Sequence, residues 1–181
     1  GREVRDGGGV SPDIEVKQER LPNILFYLVR DNLIFDYATD YCLKHPAIAS
    51  AKEFELTDAD YEEFKNKVKG ADFKYDQQSE KILNTLKEAA EFEGYMKDAS
   101  DEFKALENKL KHNLDRDLDY FSKDIKKMIA EEIIKRYYYQ EGAIIQQLKD
   151  DKDLDEAVKV LTNPERYQQI LSVTAVTAKK E

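Results

Sequence analysis

The segment from Ser100 to Lys149 constrains the fold more than any other part of the chain, because it contains no proline and one glycine. Apolar residues recur in it at spacings of three and four, which place them on one face of an α-helix. That face consists of Phe103, Leu106, Leu110, Leu114, Leu118, Phe121, Ile125, Met128, Ile129 and Ile133. We predict a long helix here, with any break at His112 and Asn113 and a weak point at Gly142.

A helix of this length cannot bury its apolar face alone, and two arrangements remain open. Either shorter helices of the same chain pack along it, or a second copy pairs with it as a coiled coil, since near-heptad spacing serves both. The shorter helices also need a place for their own apolar faces, which favours packing within the chain. We therefore predict a mainly α fold: a multi-helix bundle around one long helix, with a short N-terminal strand and Gly-rich segment.

Two shorter helices are predicted near the beginning of the chain. Residues 22–46 read as one core-facing helix that has proline in its first turn and ends at a His-Pro pair. Thr57 and Asp60 have the spacing of a capping pair at a helix start, and Gly70 ends the helix that follows them.

A third short helix is predicted from about Asp76 to Phe92. Helical spacing indicates an inward face composed of Ile82, Leu83, Leu86, Ala89 and Ala90. Gly94 is the expected stop, because glycine is common just after the last helical residue.

Charge and cysteine content limit the class of protein. Acidic residues outnumber basic ones, 38 against 29, which gives a net charge of −9. Acidic and basic residues are interleaved along the sequence. A surface that binds the phosphates of a nucleic acid needs clustered Lys and Arg residues, so this pattern argues against a nucleic-acid role. No run approaches the ~20 apolar residues of a membrane-spanning helix. A single cysteine, Cys42, leaves oxidising and reducing compartments equally open.

The first sixteen residues, GREVRDGGGVSPDIEV, differ in pattern from the helical remainder. Short alternating apolar stretches flank three consecutive glycines at positions 7–9. Glycine lowers the steric barrier to positive φ and lets two backbones pass close together, as a tight connection between strands requires. The pattern predicts the last strand and turn of one domain, ahead of a helical domain, in a chain that begins inside a larger protein.

This segment resembles the end of the peptidase core in the C-terminal processing (tail-specific) serine peptidases, a family with a Ser-Lys dyad. In that family a pattern GR-V-DGGG-I/V-x-PD-I follows the catalytic residues. The matching positions in this chain are Gly1, Arg2, Val4, Asp6, Gly7, Gly8, Gly9, Val10, Pro12, Asp13 and Ile14. Residues 154–171, LDEAVKVLTNPERYQQIL, read as a helix–loop–helix that is similar to the tails of some bacterial members.

The resemblance implies a division of the chain into residues 1–20, the end segment of the peptidase core, and residues 21–181, a helical C-terminal accessory domain. It also implies a parent that cleaves proteins near their C-termini, without metal or cofactor, in the bacterial cell envelope or periplasm. The dyad of such a parent is not in this chain, so we expect the chain to be inactive alone. Its expected partner is its own peptidase core, and the candidates for additional partners are a protein substrate, an adaptor or a second copy of the chain. We expect no nucleic-acid partner and no membrane-spanning segment.

Two groups of reactive side chains imitate known sites. Ser50, Lys74 and Gln78 repeat the order of the family's serine, lysine and glutamine, but no glycine-rich turn near Ser50 supplies an oxyanion hole. The family's glycine motif also follows its catalytic residues, whereas here it precedes this group. Cys42 and His45 have the spacing of half a zinc site, yet the chain contains one other histidine. We therefore assign no catalytic, cofactor-binding or metal-binding residue.

Tyr137, Tyr138 and Tyr139 are consecutive, so on a helix they point in three directions and cannot all face one core. Two interpretations remain open. Either two of them are buried and one lies on the surface, or they form a docking surface for a peptide, a second subunit or the peptidase core. They are the candidate partner-docking residues of the sequence.

The sequence thus favours a non-catalytic helical C-terminal domain of a C-terminal processing serine peptidase, which supports assembly or binds substrate or adaptor chains. The alternative is an autonomous helical module that binds peptides as a chaperone does, or a coiled-coil spacer. An elongated dimer in solution would indicate the spacer, and a compact particle would favour the other two.

Overall fold

The computed structural model describes residues 12–17 and 20–172, which form nine α-helices and no strand. The predicted mainly α fold is therefore confirmed. The helices are α1 (Asn23–Arg30), α2 (Leu33–Lys44), α3 (Asp58–Gly70), α4 (Gln78–Phe92), α5 (Ser100–Leu110), α6 (Leu114–Tyr120), α7 (Ser122–Gln147), α8 (Lys152–Leu161) and α9 (Pro164–Leu171). Among the described residues, no helix is both long enough and apolar enough to cross a membrane.

The described residues form two compact units, one of residues 20–146 and one that combines residues 12–17 with residues 147–172. The sequence predicts one division, at residue 20, and not a second one at residue 147. The assignment of residues 1–20 to a peptidase core and of residues 21–181 to an accessory domain stays a prediction.

The core of the larger unit is built around the first half of α7, the longest helix of the described chain with 26 residues. Ile125, Ile129 and Ile133 recur every four residues along it and are fully buried. Helices of the same chain cover them, as the favoured arrangement predicted. The buried cluster consists of Ile24, Leu25, Leu28, Leu33, Ile34, Tyr37, Ala38, Ala51, Phe54, Leu56, Tyr61, Phe64, Val68, Phe73, Leu118, Ile125, Ile129, Ala130, Ile133 and Ile134.

The helix predicted over residues 22–46 is in fact two helices, α1 and α2. Asn32 separates them in a left-handed conformation with φ 58°. Asn tolerates this region better than most residues, because its short polar side chain bonds locally. Leu28 before the break and Leu33 after it both enter the same core. The apolar periodicity therefore continues across the break, which is why the single-helix prediction was wrong.

The run from Ser100 to Lys149 is also divided, into α5, α6 and α7. The break expected at His112 and Asn113 is confirmed, because Asn113 caps α6 by accepting a hydrogen bond from the backbone N–H of Arg116 at 3.0 Å. A second break, at Phe121, was not predicted. The long helix of the bundle is therefore the last part of the run and not the whole of it.

α3 begins and ends where the sequence predicts. The Thr57 hydroxyl accepts a hydrogen bond from the backbone N–H of Asp60 at 3.1 Å, and the Asp60 carboxylate accepts one from the Thr57 N–H at 3.2 Å. This reciprocal capping box satisfies two backbone donors at the helix start, and the helix ends at Gly70. Within α3, the Tyr61 hydroxyl donates to the carbonyl of Leu118 at 2.6 Å, which attaches α3 to α6.

α7 is bent at Tyr139, whose φ of 53° and ψ of −151° are not helical. The bend brings the backbone of Gly142 against the preceding turn. A Cβ atom at Gly142 would lie 2.3 Å from the Cβ of Tyr138 and 2.8 Å from the Cγ2 of Ile134. Glycine is therefore required at this position by the close approach, in addition to being a weak point of the helix as the sequence indicated.

In the smaller unit, α8 and α9 form the helix–loop–helix that the sequence predicted. Asp151 caps α8 by accepting from the N–H of Leu154 at 2.9 Å, and Asn163 caps α9 by accepting from the N–H of Arg166 at 3.1 Å. The Arg166 guanidinium also pairs with Glu156 at 2.6 Å, which joins the two helices.

Candidate functional site

The serine and lysine that imitate a peptidase dyad are engaged with other partners. The hydroxyl of Ser50 donates to the carboxylate of Glu53 at 2.7 Å. The ammonium of Lys74 pairs with Asp72 at 2.9 Å, and its side chain is 80% exposed. A lysine acts as a general base when it is desolvated, so Lys74 lacks the environment that this role requires.

Cys42 and His45 take part in an aromatic cluster at the end of α2. The His45 ring stacks on Tyr41 with 4.0 Å between ring centroids. The Tyr137 hydroxyl donates to the backbone carbonyl of His45, and burial together with a hydrogen bond to Cys42 raises the pKa of Tyr137 to about 12. Within the described ranges, no group of three or more His, Cys, Asp and Glu residues is placed to hold a metal ion.

The three consecutive tyrosines occupy three different environments. Tyr137 is half-buried in the cluster at the end of α2. The Tyr138 hydroxyl donates to the carbonyl of Ala49 at 3.1 Å, which fastens α7 to the segment after α2. Tyr139 is 79% exposed and carries the non-helical backbone of the bend. Tyr139 is thus the member whose ring is presented to solvent, and a docking role for the three stays a prediction.

A buried carboxylate, Asp117, holds α6 against the segment before α4. The alternating Asp115, Asp117 and Asp119 predict a solvated helix face, and this prediction is wrong for Asp117. Asp117 is 4% exposed and accepts hydrogen bonds from the Tyr75 hydroxyl at 2.5 Å, Gln77 Nε2 at 2.9 Å and Arg116 Nη1 at 2.8 Å. Burial, and then the adjacent carboxylate, raise the pKa of Tyr75, so its hydroxyl remains a donor. These donors satisfy the buried charge, which makes Asp117 a structural group.

A cleft of about 540 Å³ opens beside Asp117. Arg20 and Arg116 give its wall positive charge, and Tyr120, which is 71% exposed, gives it an aromatic ring. Such groups suit an anion, but Asp76 lies on the same wall and opposes one. We therefore assign no ligand to this cleft.

The exposed side of α4 departs from the sequence prediction, which placed on the inward face Ile82, Leu83, Leu86, Ala89 and Ala90. Leu83 and Ala90 are buried, whereas Ile82 is 58% exposed, Leu86 is 51% exposed and Ala89 is also exposed. The prediction was wrong for these three residues because α4 is apolar on two sides, and periodicity alone does not say which side meets the core. With Phe92, which is 93% exposed, they form a contiguous set that we call the exposed face of α4.

Three residues of the family motif are described, Pro12, Asp13 and Ile14, and they lie beside the α8–α9 hairpin. The segment that contains them lines a groove of about 380 Å³ together with both helices. Ile14 and Val16 are half-buried while Glu15 between them is exposed, which is the alternation of an extended segment with one face covered. The motif glycines, Gly7, Gly8 and Gly9, lie outside the described residues, and the role of the motif stays a prediction.

Residues 24–161 match a family described as "Probable PDZ-protease, C-terminal helical domain". The match covers more than half of the chain, so the chain belongs to this family. The expected identity, a C-terminal region of a peptidase without its catalytic part, is thereby confirmed. No curated protein and no solved structure matches the chain.

Proposed function

We propose that this C-terminal helical domain of a probable PDZ-protease holds protein substrates or adaptor proteins for the peptidase core of the same protein. The observation that carries the proposal is the exposed face of α4, which the core of its own unit leaves uncovered. Single exposed apolar residues are ordinary on protein surfaces, whereas a contiguous apolar face is typical of a binding surface.

In this proposal the helical domain takes no part in the hydrolysis of the peptide bond. The side chains of Ser50 and Lys74 are engaged with Glu53 and Asp72, and neither is arranged as a nucleophile with its base. Hydrolysis then belongs to the peptidase core. Cleavage of peptides by the 181-residue chain, lost on Ser50→Ala, would contradict this assignment.

We further propose that the parent protease removes or shortens protein C-termini with a Ser-Lys dyad, in the bacterial cell envelope. The support is the pattern of residues 1–14, which resembles the end of the peptidase core in the C-terminal processing peptidases. A PDZ domain in the same protease fits this activity, because PDZ domains bind extended peptides at a sheet edge.

The test compares the full-length protease with a protease truncated after residue 18. Each is assayed on an unfolded test protein and on a short peptide that occupies the active site alone, and circular dichroism verifies that the core is folded. We expect truncation to lower kcat/KM about tenfold or more on the protein, through loss of substrate binding, and to leave the short peptide unaffected. Equal kcat/KM of both enzymes on the unfolded protein would overturn the proposal.

A further inference from the structure

The exposed face of α4 belongs to a helical hairpin, α4–α5, that stands apart from the hydrophobic core of its unit. No residue of either helix belongs to the main buried cluster of the described chain. α4 buries Leu83 and Ala90, and Lys87, one turn after Leu83, pairs with Glu107 of α5 at 2.7 Å. The two helices thus cover each other on one side of α4, and another side of α4 is left to solvent.

The exposed face extends along α4 to its last residue. Ile82, Leu86, Ala89 and Phe92 follow one another at spacings of four, three and three, which keep neighbouring members adjacent on the helix surface. A shallow groove of about 390 Å³ runs along the first part of this face. Covering such a surface with apolar side chains removes it from water, which is favourable.

Three glutamates lie at the C-terminal end of α4, where this face ends. Glu88 lies four residues before Phe92, Glu93 lies four residues after Ala89, and Glu91 lies between the two. None of the three forms an ion pair with another described residue, and the last turn of α4 contains no basic residue. Negative charge at a helix C-terminus is repelled by the carbonyl end of the helix dipole. The arrangement weakens α4, and cations brought by a partner relieve it.

We propose that the exposed face of α4 binds polypeptide segments that carry Lys or Arg residues next to apolar ones. The apolar side chains of the segment cover Leu86 and Phe92, and its cations meet the three glutamates. The inference rests on the proposed function and names the chemistry of the substrate or adaptor. The same negative charge repels nucleic acids and anionic lipid surfaces, so the partner is a polypeptide.

The test measures the fluorescence anisotropy of two labelled peptides added to the 181-residue chain. The peptides have the same length and the same apolar residues, and one carries lysines where the other carries glutamates. We expect the basic peptide to bind about tenfold more tightly than the acidic one at about 50 mM salt. The difference should shrink at about 500 mM salt, because exposed charges are then screened.

Two variants locate the binding site by its apolar side chains. Leu86→Ser combined with Phe92→Ser removes the largest contacts of the face and should weaken binding about tenfold. Leu43→Ser is the matched control, because Leu43 is 81% exposed on α2 and lies outside the face. It should leave the affinity unchanged.

A triple variant, Glu88→Gln with Glu91→Gln and Glu93→Gln, separates charge from apolar contact. It keeps the apolar face and should bind both peptides with equal affinity. Circular dichroism of each variant verifies that the helical content is retained.

Equal affinity of the original chain for both peptides, binding of neither, or an equal loss of affinity in the Leu43→Ser control would each overturn the inference. The proposed function is tested separately by the cleavage assay. A domain that holds substrates at another surface passes the cleavage assay and fails this one, so the two failures are distinguishable.

Discussion

Replacing Gly142 with alanine should destabilise this protein, although the same change stabilises an ordinary helix by about 1 kcal/mol. The new Cβ would lie 2.3 Å from the Cβ of Tyr138 and 2.8 Å from the Cγ2 of Ile134. Carbon atoms pack favourably at about 3.5–4.0 Å, so both contacts are strongly repulsive. The Cβ of Tyr138 is fixed to its backbone and cannot rotate away, so α7 has to open its bend.

The size of the effect follows from the same contacts. Forcing an extra methyl group into a packed site costs about 1–3 kcal/mol. Opening the bend also strains the hydrogen bond from the Tyr138 hydroxyl to Ala49, which contributes about 1 kcal/mol. The gain in helix propensity offsets about 1 kcal/mol of this total. We expect Gly142→Ala to lower the free energy of unfolding by about 1–3 kcal/mol.

Urea unfolding followed by circular dichroism measures this change, and Tyr139 offers a matched pair of variants. Its φ of 53° favours glycine, and its side chain is 79% exposed. Tyr139→Gly should therefore raise the free energy of unfolding by about 1 kcal/mol relative to Tyr139→Ala. The bend in α7 would be refuted if Gly142→Ala raised the free energy of unfolding by about 1 kcal/mol. It would also be refuted if Tyr139→Gly had a lower free energy of unfolding than Tyr139→Ala.

Two further changes probe the buried polar groups. Asp117→Ala should lower the free energy of unfolding by about 3 kcal/mol, because the donors of Tyr75 and Gln77 lose their acceptor; a loss no larger than that of Asp117→Asn would contradict this. Burial raises the pKa of Tyr61 above its ordinary value of 10.0, so the folded state keeps a proton that the unfolded state releases. The contribution of Tyr61 to the free energy of unfolding should be constant at pH values below 10.0 and should fall at higher pH. Denaturant unfolding of Tyr61→Phe should therefore show a shallower fall of the free energy of unfolding with pH; an unchanged dependence on pH would refute the role of this tyrosine.

Local signals predicted the parts of the fold that depend on neighbouring residues. The Thr57–Asp60 pair specified a capping box by itself, and the structure contains both of its hydrogen bonds. Gly94 ended α4 as predicted and adopts a φ of 84°, which few other residues tolerate. Asn113 likewise marked a break, because its side chain caps the helix that follows.

Features that depend on the tertiary arrangement were not predictable from pattern alone. Asn32 separates two helices that face one core, so the spacing of apolar residues concealed the break. α4 has more apolar residues than one face needs, and only the tertiary packing decides that Leu83 is covered while Leu86 is not. Asp117 looked like part of a solvated acidic series, since its donor Tyr75 is distant in sequence.

The location of the candidate binding surface also depends on the tertiary arrangement and was not predictable from the sequence pattern alone. The tyrosine triplet attracted attention because of its composition, yet hydrogen bonds of Tyr137 and Tyr138 to the backbone of the segment after α2 occupy two of its members. The exposed face of α4 was present in the sequence as an apolar excess and was assigned to the core. The sequence does not distinguish an apolar residue that packs in the core of its own chain from one that packs against another protein.

The central claim is that the exposed face of α4 holds protein substrates for the protease. The most direct measurement is kcat/KM of the full-length protease, carrying Leu86→Ser and Phe92→Ser, on an unfolded protein and on a short peptide. The account predicts a loss of about tenfold on the protein, expressed mainly as a higher KM, with the short peptide and the Leu43→Ser control unaffected. Unchanged cleavage of the unfolded protein by the double variant would contradict it.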